Sequence, residues 1–208
     1  MGGRRRSALG LGADLRDQLA EEAARVMVEH GIHDFRQAKR KAAERFGVRA
    51  AGALPSNAQI HERLVERQRL FSPEDHDLHL AKLRRLAAAL MEPLEEFRPR
   101  LVGAVLDGTA TINAIVELHV FSDAPEDVAA VLEVHGNRVH DSQRRYRFGR
   151  DDISQIPGFA LMLDAEEVEV MVFRERGSHH APLSPIDGRP MRRASRTAVL
   201  ALLEASVC

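Results

Sequence analysis

Tryptophan is absent from this chain, tyrosine occurs once as Tyr146, and cysteine occurs once as Cys208. A single thiol excludes an intrachain disulfide and a multi-cysteine metal site, a pattern that fits a reducing compartment and predicts a cytoplasmic protein. With aromatics at 4%, the core is expected to be built from Leu, Val and Ala. No apolar run reaches the roughly 18 residues of a membrane-spanning helix, so no membrane association is expected. The opening MGGRRRSALGLGADL is basic but lacks an apolar h-region, which argues against a secretory signal; Ser7 also falls one place too late for a myristoylation start. Thirty Lys and Arg against 31 Asp and Glu give a net charge of −1. That balance excludes a whole-molecule attraction to polyanions but leaves local basic patches. There is no GxxxxGK(S/T) phosphate loop, no GxSxG nucleophile elbow and no Cys-His arrangement.

What is present reads as α+β: an N-terminal helical region followed by a small mixed β-sheet domain with flanking helices. Residues 1–12 read as a disordered Gly/Arg-rich tail, 13–98 as the helical region and 99–208 as the α+β domain. The spacing of Leu15, Leu19, Ala23, Val26 and Met27 predicts a first helix ending at Gly31. Asp34 is placed to cap a second, running to Phe46, whose stripe is Phe35, Ala38, Ala42 and Phe46. The linker RAAGALP follows, and Ser56 or Asn57 caps a third helix through Phe71. A fourth begins at Ser72-Pro73-Glu74 and carries Leu80, Leu83, Ala87, Leu90, Leu94 and Phe97. Pro93 predicts a kink or restart within it.

The character then changes. Strands are expected at 101–106, 115–121, 138–148, 158–163 and 167–173, a helix at 125–135, and a hairpin turn at Ala165-Glu166. Residues 177–194 read as an irregular loop, and Ser195 caps a last helix. In IVELHVF, Glu117 and His119 share one face; in EVEVMVF, Glu167 and Glu169 do. If the two strands are neighbours, these groups converge, and carboxylates with an imidazole suit a hard cation such as Mg²⁺ or Mn²⁺. A plainer reading pairs the glutamates with Arg145 and Arg147 of RRYRFGR as cross-strand ion pairs. His76 and His79 read as surface histidines, and His179-His180 as a solvated loop pair.

The order strand, Gly108-Thr109 turn, acidic strand and later acidic strand resembles the nucleotidyltransferase superfamily of the polymerase-β type. That resemblance covers about residues 100–175 and implies metal-dependent nucleotidyl transfer from a nucleoside triphosphate to an acceptor. It places Glu117 and Glu169 as catalytic carboxylates, with Glu117, His119 and Glu169 as metal ligands. Gly108 and Thr109 would hold the triphosphate, with Arg189 and Arg192 offsetting its charge; with Arg193 these two form a basic patch that in such a setting could grip a triphosphate or RNA. Ile115 stands where the family's first paired acid would be if Glu117 is the second. The competing expectation is a non-catalytic, degenerate member that binds nucleotide, nucleic acid or a protein partner.

The whole chain also resembles a group of short bacterial proteins through AKRKAAERFGV, LPSNAQI, RPRLVGAVLDGTA and APLSPIDGRPMRRAS. Some of them carry the name UDP-N-acetylmuramate–alanine ligase, an ATP-dependent activity that would call for a phosphate loop and roughly two further domains. The run AARVMVEHGIHDFRQAKRKAAERFGV looks like the first two helices of a helix-turn-helix protein. Arg36, Lys39, Arg40 and Lys41 on its second helix are the candidate nucleic-acid contacts. A solvated basic face of a helical bundle explains the same residues.

Overall fold

The structure is a computed structural model that describes residues 3–48, 53–71 and 73–205. It is a mixed α/β molecule with seven α-helices and one five-stranded mixed sheet among the described residues. Contacts divide the chain into two compact units: Met1–Pro73 with Pro185–Asp187, and Glu74–Ser184 with Gly188–Cys208. The boundary therefore falls before the fourth helix rather than near residue 98. Residues 49–52 of the expected linker, the Ser72 cap and Cys208 lie outside the described residues.

The first unit holds α1 (Gly3–His30), α2 (Phe35–Arg45) and α3 (Asn57–Phe71). The helix α1 includes residues 3–12, expected as a disordered tail; Arg, Ala and Leu in that stretch are good helix formers and extend a helix already nucleated downstream. Leu19, Ala23, Ala24, Ile32, Ala38, Ala42, Ile60 and Leu64 form its core. Asp34 caps α2 by accepting from the Arg36 amide at 2.7 Å. Ser56 caps α3 reciprocally: its Oγ accepts from the Gln59 amide at 3.1 Å, and Gln59 Oε1 accepts from the Ser56 amide at 2.9 Å. Arg25 and Arg45 both reach Glu22 Oε1, at 2.7 and 3.0 Å, tying α1 to α2. On α2, Arg36 and Arg40 are exposed, while Lys39 and Lys41 are half-buried, with burial lowering the Lys39 pKa.

The second unit is a sheet in the order β1-β2-β5-β4-β3, formed by β1 (Arg100–Val102), β2 (Val116–Phe121), β3 (His140–Arg147), β4 (Ile153–Leu163) and β5 (Glu166–Phe173). β2 and β5 are parallel; the other pairings are antiparallel. Val116, Leu118, Val120, Val168, Val170 and Val172 pack one face onto α4 (Pro73–Met91), which supplies Leu83, Ala87, Leu90 and Met91. Val128 and Leu132 of α6 (Pro125–Val134) and Val199 of α7 (Arg196–Ala205) complete that core. The periodicity of α4 thus announced a helix correctly, but its apolar stripe belongs to the sheet. At Pro93 the helix has already ended and restarts as a short 3-10 turn at Glu95–Phe97, since proline lacks the amide the ladder needs.

Three strand expectations change. The first strand stops at Val102, where Gly103 turns with φ +71° into α5 (Gly103–Asp107), closed by Gly108 at φ +78°. Positive φ favours glycine at both ends, and the helix lets Val105 and Leu106 both reach the core. The hairpin turn is Asp164-Ala165, one residue earlier than expected, with φ of 49° and 64°, as a two-residue turn matched to strand twist requires. β4 begins at Ile153 and runs through Pro157; pairing to β5 begins only at Gly158, so the proline lies where the missing amide costs no ladder bond to β5.

Candidate functional site

The parallel register of β2 and β5 sets Glu117 directly beside Glu169, and His119 beside Met171. Partners across a ladder share a face, so the convergence expected from the two alternating sequences is present. β3 lies three strands from β2, about 14 Å away in a flat sheet, yet Arg144 Nη1 on β3 sits 2.8 Å from Glu117 Oε2. The same nitrogen lies 3.3 Å from Glu169 Oε2, a buried oxygen that has this charge contact in place of an aligned hydrogen bond. The β4 partner of Glu169 is the small Ala160. Ser142 Oγ adds a long 3.4 Å bond to Glu169 Oε1. Burial opposes the Arg144 charge, but Glu117, Tyr146 and Glu169 outweigh it and hold the guanidinium pKa above its ordinary range.

His119 is fully buried and both ring nitrogens are engaged. Arg193 Nε donates to Nδ1 at 3.2 Å, which leaves the proton on Nε2, 3.2 Å from the Tyr146 hydroxyl. Burial, then Arg193 and Arg144, push the imidazole pKa well below 6.5, so the ring is neutral. Tyr146 is raised chiefly by burial, and its ring meets His119 edge-on with centroids 5.3 Å apart. Phe121, Tyr146, Met171 and Phe173 form a small second core on this face.

Gly108 and Thr109 sit elsewhere, at the C-terminus of α5. The Thr109 amide donates to the Ala104 carbonyl at 2.9 Å, and buried Arg84 caps the Val105 and Leu106 carbonyls at 3.1 and 3.3 Å. The exposed Arg192 reaches Asp107 Oδ1 at 3.2 Å, so this arginine does stand beside the glycine turn. Arg189 is in an exposed turn, where its carbonyl accepts from the Ser184 amide at 2.7 Å. His76 Nε2 meets the Gly108 carbonyl at 3.2 Å, and the exposed His180 ring packs edge-on against Phe148.

These residues do not fit a two-metal centre. His119 has no lone pair left to offer, a cation already lies between the two carboxylates, and Ile115 supplies no third acid. Among the described residues no group of three or more His, Cys, Asp or Glu side chains is arranged to hold a metal ion. Sequence reasoning missed Arg144 and Tyr146, and took Arg193 only as part of a basic patch with Arg189 and Arg192, not as the partner of His119. It put Arg145 and Arg147 opposite the glutamates, whereas both are exposed on the opposite parity. The signal was there: Tyr146 and Phe148 mark the inward parity of β3, and Arg144 shares it.

No helix among the described residues is long and apolar enough to cross a membrane. No family model, curated protein or solved structure matches this chain.

Proposed function

We propose that this chain is a nucleotidyltransferase-like protein of the polymerase-β type in which an internal guanidinium replaces the metal ions. In this reading it binds a nucleoside triphosphate without transferring its nucleotidyl group. The observation that carries it is Arg144 Nη1, 2.8 Å from Glu117 and 3.3 Å from Glu169. A monovalent cation fixed on β3 balances the carboxylates, but it has no open coordination position for a phosphate oxygen. Support for nucleotide binding is Arg192 standing beside the Gly108-Thr109 turn: its pair with Asp107 is exposed, so little stability is lost when a phosphate replaces the carboxylate. The catalytic alternative, transfer assisted by Mg²⁺ or Mn²⁺ on Glu117 and Glu169, draws on the register that aligns those two residues, and it requires Arg144 to leave.

Labelled ATP and CTP titrated with Mn²⁺, and again with the metal chelated, separate the two. The proposal expects equal saturable binding in both conditions, no pyrophosphate release, and about tenfold weaker binding in Arg192→Gln, the loss typical of one charged hydrogen bond. Mn²⁺-dependent pyrophosphate release that disappears in Glu117→Ala would establish the enzyme instead.

A further inference from the structure

Arg193 is held in an unusual way. Its Nε donates to the neutral His119, and its Nη1 to the carbonyls of Gly177 and Ser178 at 3.3 and 3.2 Å. Its Nη2 is buried and has no partner. The guanidinium lies over the rings of Phe121 and Phe173, 5.1 Å from each centroid, and Arg98 lies over Phe121 as well, at 5.6 Å. Arg100 belongs to the same cluster: its Nη1 goes to the Pro99 carbonyl at 3.1 Å, and its charge disfavours that of Arg193. Among the described residues none of Arg98, Arg100 and Arg193 is ion-paired to a carboxylate. Two guanidiniums thus lie over the Phe121 ring, with Arg100 near enough to act on Arg193, and none of the three is paired to a carboxylate among the described residues.

A buried charge is ordinarily paired, and an unpaired buried donor points to a missing partner. Cation–π contacts offset only part of the desolvation. Burial and Arg100 together bring the Arg193 pKa down to about 10, so the group is strained as a cation yet still charged at neutral pH. We propose that Arg193, with Arg98 and Arg100, binds a phosphate group on this rim of the sheet face. The guanidinium fork suits paired phosphate oxygens, and three cations match a dianion better than a single carboxylate. The phosphate meets the exposed Arg98 and half-buried Arg100 first. It reaches Nη2 as the turn Glu175–His179 yields, since that turn holds Nη1 only through the two long carbonyl contacts. The proposal is independent of the nucleotidyltransferase reading: it uses neither Gly108 nor Arg192.

The test follows the His119 imidazole, which Arg193 touches directly, by proton–nitrogen correlation NMR on the full chain during titration with inorganic phosphate, AMP and acetate at constant ionic strength. Saturable shifts of the His119 ring with phosphate or AMP, absent in Arg193→Gln and retained in Arg192→Gln, are expected. Saturation by inorganic phosphate alone identifies the free ion; tighter saturation by AMP identifies a phosphate monoester. Thermal melting guards against a misfolded variant. Arg193→Gln is expected to unfold in one cooperative transition and to lose the phosphate-induced rise in melting temperature that the wild type shows. No saturable response in the wild type, an equal response to acetate, or an unchanged response in Arg193→Gln would overturn the proposal.

Discussion

Replacing Arg144 by Gln removes the one cation between Glu117 and Glu169 and leaves two carboxylates side by side at the same register. The side chains are 32%, 19% and 15% exposed for Arg144, Glu117 and Glu169, so the pair sits between a surface ion pair and a buried one. Exposed pairs contribute about 0–1 kcal/mol and breaking a buried pair costs about 3–5 kcal/mol, which brackets the loss here at about 2–3 kcal/mol. In a chain of this size that corresponds to roughly 5–10 °C in melting temperature. Urea unfolding at neutral pH should show a lower midpoint with an unchanged slope. Arg144→Gln combined with Glu117→Gln should recover part of the deficit, since it removes one of the two facing carboxylates. A neutral-pH loss below about 0.5 kcal/mol, the range of ordinary surface substitutions, would refute the bridging role assigned to Arg144.

Other consequences are open to simpler measurements. Tyr146→Phe removes the partner of the buried His119 Nε2 proton and should cost about 1–3 kcal/mol in denaturant unfolding. Because the folded imidazole pKa lies below its unfolded value, the unfolded state binds the proton first. Stability should therefore fall as pH drops below about 6.5, by up to about 1.4 kcal/mol per pH unit, and His119→Gln should flatten that dependence. Gly158→Ala would place a methyl 2.5 Å from the Val170 carbonyl and 2.8 Å from the Met171 sulfur; a loss of at least about 2 kcal/mol by thermal melting is expected.

The sequence made parts of this molecule legible and hid others for physical reasons. In β2 and β5 strict alternation showed which residues of each strand share a face, while the pairing that sets Glu117 beside Glu169 came from the fold. Helix existence was equally readable, but the helical period of α4 does not say which core its stripe joins, and it joins the sheet. The short apolar run after Leu101 is ambiguous between strand and helix by periodicity alone, and Gly103 decides it only through a backbone angle no local pattern displays. The site was half visible. Its carboxylates announced themselves, whereas the cation that meets them comes from β3, three strands from β2 in the sheet order, which no local pattern displays. His119 looked like a ligand; distant Tyr146 and Arg193 occupy both its nitrogens.

The central claim is that Arg144 stands where a metal would have to bind, and Mn²⁺ titration followed by electron paramagnetic resonance tests it most directly. The wild type should leave the free Mn²⁺ signal undiminished. Arg144→Gln, with Glu117 and Glu169 uncovered, should quench it, and adding Glu117→Gln should restore it. Stoichiometric Mn²⁺ binding by the wild type, lost in Glu117→Gln, would contradict the account.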